Sequence, residues 1–138
     1  MKTVRTRFGD VDYHPDKTIL FPKGLLGFES LREFIVMPAE NDDPLVCLQS
    51  LEDPQVAFLL VDPQRYFPEY RIDIGEQEAG VLGLNQDDDY CILTMITVLQ
   101  DQSVTLNLVA PVLYGPRTQR ALQIVLENTE YSVRTPLP

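Results

Sequence analysis

Hydrophobic and polar residues alternate along much of this chain with the two-residue period of β-strands. The stretch "TVRTRFG" places Val4, Thr6 and Phe8 on one face and two arginines on the other, a pattern typical of a half-buried strand. Further short apolar runs follow at intervals of about ten residues, which is the spacing of all-β sandwiches and barrels. These runs are "KTILFP", "EFIVMP", "PLVCLQSLEDP", "QVAFLLVDP", "YCILTMITVL", "SVTLNLVAPVLYG" and "LQIVL".

Individual runs carry more specific predictions. Six apolar residues in a row, Val56–Val61, predict a strand that is buried on both faces. The run "YCILTMITVL" predicts the longest strand, whereas Leu122–Leu126 predicts either a last core strand or a short helix. Together the runs predict an all-β fold, a small β-barrel-like domain over residues 1–138 with about seven to nine short strands.

Helical signals are few and short. The segment Gln77–Leu84 predicts a short helix, although the two glycines within it lower its helical propensity. Ser30 and Glu33 have the spacing of a capping box, which predicts a single helical turn over Leu31–Phe34. We therefore expect at most one or two short helical turns beside the strands.

The stretch "FPKGLLGFESLREF" is too apolar for an ordinary loop and too broken for a long helix. Gly24 and Gly27 permit positive φ values that other residues resist. A turn at each glycine would move the neighbouring apolar side chains, Leu25, Leu26 and Phe28, out of strand register together. These side chains then either plug a barrel end as part of the core or project outwards as an apolar docking patch.

Charge is distributed unevenly along the 138 residues. The formal net charge is −10, and residues 39–89 hold thirteen acidic and two basic groups. Such a field repels nucleic acid and anionic membranes and attracts cationic partners. Solubility alone is the alternative explanation for the acidic excess.

No arrangement of residues predicts catalysis, a metal or a cofactor. His14 is the single histidine and precedes a proline, as expected of a surface turn. Cys47 and Cys91 lie in apolar runs and are predicted to be small core residues. The run Asp87–Asp89 lacks the spacing of a calcium loop, and the glycine-rich stretches lack nucleotide-binding spacing. We therefore expect a protein that binds another protein rather than an enzyme.

Two other classes of function stay open. An enzyme could use a pair of buried carboxylates, since their proximity in space is invisible in a sequence. A small-ligand carrier would use the barrel interior and needs a cavity there. The many large apolar residues predict a filled interior instead.

We expect no targeting segment in this sequence. No apolar run approaches the roughly 20 residues of a membrane-spanning helix. The start, "MKTVRTRFGD", is basic but has no apolar stretch behind it, unlike a signal peptide. We expect a cytoplasmic protein, in which thiols stay reduced.

Four segments, in order, resemble the flagellar assembly factor FliW family. The first, "LFPKGLLGFESLREFIVMP", is similar to the family's amino-terminal signature, and the second is "PLVCLQSLEDPQVAFLLVDP". The third, "TLNLVAPVLYGPRTQRALQIVL", resembles an asparagine–leucine–x–alanine–proline segment, and "EYSVRTPLP" resembles the family's ending. The resemblance covers nearly the whole chain, and the order of four weak motifs makes it specific.

The resemblance implies a small barrel-like binding protein of the bacterial cytoplasm with two partners. Family members bind newly made flagellin, and they bind CsrA, an RNA-binding repressor of flagellin translation. Scarce flagellin leaves the factor free to capture CsrA, whereas abundant flagellin occupies the factor and releases CsrA. Such a partner switch needs no catalytic, cofactor or metal site.

Candidate contact residues come from charge and hydrophobicity. A cationic RNA-binding partner suits acidic turns, and an amphipathic flagellin segment suits apolar side chains. The candidates for CsrA are Glu40, Asp42, Asp43, Asp87, Asp88 and Asp89. The candidates for flagellin are Leu25, Leu26, Phe28, Tyr66 and Phe67.

Overall fold

A closed β-barrel with additional strands and one short helix forms the protein. The computed structural model describes residues 1–37, 44–127 and 129–138. The strands are β1 Lys2–Thr6, β2 Gly9–Tyr13, β3 Ile19–Leu20, β4 Glu33–Val36, β5 Val46–Ser50, β6 Ala57–Val61, β7 Cys91–Val98, β8 Val104–Leu106, β9 Val112–Gly115, β10 Arg120–Gln123 and β11 Thr135–Pro136. The helical segments are α1 Glu76–Leu82 and the 3₁₀ turns Pro15–Lys17 and Pro63–Arg65.

Seven strands close the barrel in the order β7-β6-β5-β4-β3-β10-β9, and β9 pairs back onto β7. Strand β7 has eight residues, which is long enough to serve three neighbours. Its first residues pair with β9, its middle with β6 and its last residues with β8. Closure leaves these seven strands without a free edge. The predicted all-β, barrel-like fold is confirmed.

The barrel interior follows from the alternation of side chains along each strand. The rings of Phe21 and Phe34 meet edge to face inside it, with centroids 5.2 Å apart. Alternate residues of the central strands point inwards, for example Phe58 and Leu60 on β6. The buried members of this core are Ile19, Phe21, Leu25, Phe34, Leu48, Leu60, Val112 and Ala121.

Two further layers pack on the outside of the barrel. In one, Tyr70 is buried, and its hydroxyl donates to the carbonyl oxygen of Leu108 at 2.9 Å. In the other, Leu82 of α1 packs on the outward side chains of Leu113 and Leu122. Within the described residues no helix is long and apolar enough to cross a membrane.

The Gly24–Gly27 segment closes one end of the barrel. Gly24 has a φ of +67°, and a Cβ there would lie 2.5 Å from the carbonyl oxygen of Glu29. The next four residues form a tight turn, in which the Phe28 N–H donates to the Leu25 carbonyl at 2.8 Å. Leu25 is only 1% exposed and belongs to the barrel core. The plug predicted for this segment is thus present.

One prediction about this part of the chain is wrong. A helical turn does not form over Leu31–Phe34, because β4 already begins at Glu33. The N–H groups of Arg32 and Glu33 donate to Oε1 of Glu52 at 2.7 and 2.8 Å. Because both N–H groups already donate to Glu52, they need no helical cap.

The face predicted for the first strand includes one residue, Phe8, that lies outside the strand. Val4 and Thr6 belong to β1, but Phe8 is exposed in the turn that follows the strand. The Thr6 hydroxyl donates to the Gly9 carbonyl and accepts from the Phe8 N–H, which ends the strand. The exposed Phe8 ring lies under the guanidinium of Arg7, 4.9 Å away.

Three apolar runs behave differently from the patterns that predicted them. The run Val56–Val61 contains β6, Ala57–Val61, but Leu59 is exposed, because a strand of this barrel has an outward face. The run "SVTLNLVAPVLYG" forms two strands, since the Asn107 carboxamide accepts from the N–H groups of Val109 and Ala110 and breaks the strand there. For "LQIVL" the strand alternative is correct only for Leu122 and Gln123, since β10 is Arg120–Gln123 and residues 124–126 form neither helix nor strand.

Two further predictions, that both cysteines are core residues and that the barrel interior is filled, need correction. Cys47 is half-buried and Cys91 is exposed, so the expected core role is wrong for Cys91. Cys91 lies at the end of the barrel opposite the plug, beside Ile19 and Val36. The interior is not filled at that end, where a cavity of about 290 Å³ remains. The predicted short helix is confirmed as α1.

Candidate partner-binding surfaces

The outward side of strands β6, β7 and β8 carries an apolar depression, here called the outer groove. Leu59 is 39% exposed and Val98 is 55% exposed, and Ile96 lies between them. The depression has a volume of about 280 Å³. It is lined by Pro44, Leu45, Leu59, Val61, Tyr66, Ile96, Val98, Val104, Leu106 and Leu137.

A second depression of about 500 Å³ continues the outer groove. The two share Leu59, Ile96 and Val98, so they form one continuous strip. The far part of the strip includes Val133, which is 60% exposed, and the guanidinium groups of Arg7 and Arg134. An apolar strip with a polar end is the kind of surface that accepts the apolar face of an amphipathic segment.

Strand β7 creates this surface because it is longer than barrel closure requires. Its last residues pair with β8, where Ile96 lies opposite Leu106 and Val98 opposite Val104. The C-terminal strand β11 then adds to β8, with Thr135 opposite Leu106. These pairings extend the barrel wall into a sheet whose outward apolar residues are only partly covered.

The apolar residues predicted from the sequence divide between two places. Leu26 is 51% exposed at the tip of the plug, where its N–H donates to Oε1 of Gln123 at 3.0 Å. Phe28 is 39% exposed, and its ring packs edge to face on Phe58 at 5.3 Å. Leu25, between Gly24 and Leu26, is buried and supports the tip from inside.

Tyr66 and Phe67 lie elsewhere, in the outer layer that contains Tyr70. Both are half-buried. Tyr66 lines the outer groove, whereas Phe67 faces a neighbouring depression together with Tyr131. The structure therefore brings Tyr66 to the groove and leaves Leu26 and Phe28 at the barrel end.

The acidic candidates are not equivalent either. Asp88 is engaged with Arg117: Nε and Nη2 of the guanidinium lie 2.9 and 2.8 Å from the same carboxylate oxygen. This hydrogen bond, helped by one from the Asn85 N–H, holds the pKa of Asp88 below its ordinary value. Asp87 and Asp89 are exposed. Glu40, Asp42 and Asp43 lie outside the described residues.

Asp89 also contributes to the field at the open end of the barrel. The pKa of the Cys91 thiol is raised, first by burial and then by the negative charges of Asp62 and Asp89. Burial likewise raises the pKa of the Tyr114 hydroxyl. Both groups therefore stay protonated and neutral at physiological pH.

Sequence reasoning missed the groove residues Leu59, Ile96, Val98 and Val133. A usable signal was present in the run Val56–Val61, which contains β6 and has six apolar residues without a polar break. In a β-barrel every second residue of a strand faces outwards. An apolar residue at such a position needs a cover from the same chain or from a partner, and Leu59 has only a partial cover.

Comparison with known proteins gives a consistent family assignment. A family model described as "FliW protein" matches residues 2–137. The "Flagellar assembly factor FliW" of Syntrophotalea carbinolica is 50% identical over 137 residues, which cover 99% of this chain and 98% of that protein. The "Flagellar assembly factor FliW 2" of Desulfotalea psychrophila is 48% identical over 138 residues, covering 100% of this chain and 91% of that protein.

A solved structure agrees with the sequence relatives. The crystal structure of the flagellar assembly factor FliW superposes with a TM-score of 0.90 at 29% identity. The match covers 99% of this chain and 97% of the solved chain. Fold and sequence therefore point to the same family.

Proposed function

The chain belongs to the FliW family, and from this premise we propose that it is a cytoplasmic flagellar assembly factor that works by binding proteins. It binds flagellin. When it is free of flagellin, it sequesters the translational repressor CsrA, so that flagellin translation proceeds. The observation that carries the proposal is the outer groove, an exposed apolar strip on an otherwise acidic protein.

The groove suits a flagellin segment because of its shape and chemistry. Leu59, Ile96 and Val98 follow one another across two neighbouring strands and offer side-by-side apolar contacts. An amphipathic helix presents its apolar face with a repeat of three or four residues, and such a strip can receive it. Tyr66 and, at the barrel end, Leu26 and Phe28 supply further apolar contacts.

The acidic field suits CsrA. A protein that binds RNA needs a cationic surface, and the net charge of −10 attracts such a surface over several ångströms. Asp87 and Asp89 carry exposed carboxylates, and the charge of Asp89 acts on Cys91 at the open end of the barrel. Asp88, which lies between these two aspartates in the sequence, pairs with Arg117 and stabilises the turn. Glu40, Asp42 and Asp43 add charge to the same third of the sequence.

Flagellin and CsrA must exclude each other for the switch to work. Exclusion requires either overlapping sites or a coupling free energy between two separate sites. The groove on β6–β8 and the acidic turn at Asp87–Asp89 are two different surfaces, which favours coupling between that turn and the groove. Competition is then measured directly: excess flagellin releases CsrA from the purified chain, and release fails if both partners bind together without loss of affinity.

The flagellin part of the proposal is tested by charging the groove. The double variant Leu59→Asp/Val98→Asp places two carboxylates in the strip, and we expect a loss of flagellin affinity of at least tenfold. Val125→Asp is the matched control, because Val125 is also 55% exposed but does not line the groove. Equal flagellin affinities of the double variant and the control would refute the groove assignment, provided both keep the wild-type unfolding midpoint.

The CsrA part is tested by reversing charge. Asp87→Lys/Asp89→Lys should weaken CsrA binding and reduce its dependence on salt, since fewer attractive charges remain to be screened. Asp42→Lys/Asp43→Lys tests the other acidic turn in the same way. Asp16→Lys is a control in the amino-terminal part of the chain, where basic residues outnumber acidic ones. An unchanged affinity in both double variants would eliminate the acidic turns as the CsrA contact.

A further inference from the structure

The two ends of the barrel differ in how the chain fills them. At one end the plug inserts Leu25, and the ring of Phe28 packs on Phe58. At the other end no segment of the described chain inserts a side chain in this way. A cavity of about 290 Å³ is left there, and it opens beside Val36 and Cys91, which are both exposed.

All seven barrel strands contribute to the wall of this cavity. The lining is aliphatic over most of its surface, with Ile19, Leu60, Leu93 and Ala121 on four different strands. The lining side chains carry two polar atoms, the Cys91 thiol and the Tyr114 hydroxyl. Both are neutral, as their raised pKa values require. Among the residues that the structure describes, no charged side chain lines the wall.

The mouth of this cavity is open to solvent, so water reaches part of its aliphatic wall. Covering apolar surface with an apolar molecule is favourable, because it removes that surface from water. Water gains little here, since a buried water needs two to four polar partners. A charged ligand is excluded because the wall offers nothing to replace its hydration.

The size of the space selects among apolar occupants. An engineered apolar cavity of about 150 Å³ binds benzene, and the barrel cavity has roughly twice that volume. An α-helix with its side chains is about 10–12 Å wide and does not fit inside. We propose that the open end of the barrel is a binding site for a small, uncharged, apolar molecule of the size of a two-ring aromatic.

The site is tested with 1-aminonaphthalene, a neutral two-ring probe whose fluorescence depends on the polarity of its surroundings, and with naphthalene as competitor. The chain contains no tryptophan, so no indole emission overlaps with the probe. We expect saturable binding of one probe per chain and its displacement by naphthalene. Absence of saturable binding would overturn the proposal.

Two variants fill the cavity from different strands. Ala121→Leu adds three carbons at a buried position, and Cys91→Leu enlarges an exposed residue at the mouth, where folding tolerates change better. Each should lower probe affinity at least tenfold, whereas Val125→Leu, outside the cavity, should leave it unchanged. Wild-type probe affinity in both filling variants would place the probe elsewhere and overturn the assignment.

Cys91 gives an independent readout. In a Cys47→Ser background, Cys91 is the single thiol, and naphthalene should slow its alkylation by a maleimide several-fold. An unchanged alkylation rate at saturating naphthalene contradicts binding at this end. A flagellin adduct formed by a photoreactive amino acid at position 91 would assign the cavity to a partner's side chain and overturn the small-molecule proposal.

Discussion

Two outer faces of the barrel differ in whether other residues of the chain cover them. On the face of β9 and β10, the outward Leu113 and Leu122 are buried under Leu82 of helix α1. On the face of β6 and β7, the outward Leu59 and Val98 stay exposed. The sequences of the two faces are similarly apolar, so hydrophobicity alone does not identify a docking surface. What distinguishes the faces is whether the chain supplies its own cover.

The cover on the β9–β10 face is held by specific contacts. Helix α1 has only seven residues, too few to be stable alone. The hydroxyl of Thr118 donates to the Leu82 carbonyl at 2.6 Å, and Nη2 of Arg117 donates to the Gly83 carbonyl at 2.8 Å. The turn between β9 and β10 therefore anchors the carboxyl end of the helix. The outer groove has no comparable clamp among the described contacts.

The largest expected difference between the faces is in stability. Leu113→Ala should lower the free energy of unfolding by about 2–5 kcal/mol, because it leaves a cavity under a fixed cover. Leu59→Ala should lower it by less than about 1 kcal/mol, because solvent already reaches that side chain. Urea denaturation of both variants measures the difference. Equal losses would mean that the exposed face is as structural as the covered one.

Two glycine substitutions test how α1 covers the β9–β10 face, and they should change the stability of the protein in opposite directions. A Cβ on Gly115 would lie 2.9 Å from Cδ2 of Leu84, so Gly115→Ala should destabilise the protein by roughly 1–3 kcal/mol. A Cβ on Gly80 meets nothing within 4 Å, and Gly80→Ala in α1 should stabilise by about 0.5–1 kcal/mol. Thermal or urea midpoints show the signs. A stabilising Gly115→Ala would contradict close packing at the helix end.

The smallest expected effect on stability comes from the ion pair of Asp88 with Arg117. The pKa of Asp88 is lowered in the folded state, chiefly by the hydrogen bond from Arg117, so the pair stabilises the fold above the unfolded value of about 3.9. That contribution is lost as the pH falls through the lowered pKa. Asp88→Asn should therefore be less stable than wild type at pH 7, and the gap should close towards pH 2. A gap that is independent of pH would assign Asp88 a role other than this ion pair.

The fold class was predictable because strand alternation and turn residues are local signals. β7 matched its apolar run, and α1 matched the predicted segment to within two residues. The wrong predictions depended on contacts between residues that are far apart in the sequence. The N–H groups of Arg32 and Glu33 bond to Glu52, nineteen or twenty residues away, and this contact turned a predicted helical turn into the start of β4.

The candidate surfaces were only partly predictable for the same reason. The sequence indicated that the Leu25–Phe28 turn is either a plug or a patch, and the structure shows both, with Leu25 inside and Leu26 outside. The outer groove depends on β8 and β11 pairing beyond the barrel. That pairing joins residues about thirty positions apart and leaves no trace in local periodicity.

The most direct test of the central claim is a photo-crosslink to flagellin from each face. A photoreactive amino acid is placed at position 98 in the outer groove or at position 77, an exposed residue of α1 on the covered face. If the uncovered face is the docking surface, position 98 forms the flagellin adduct and position 77 does not. Adducts of equal yield, or an adduct from position 77 alone, would contradict the account.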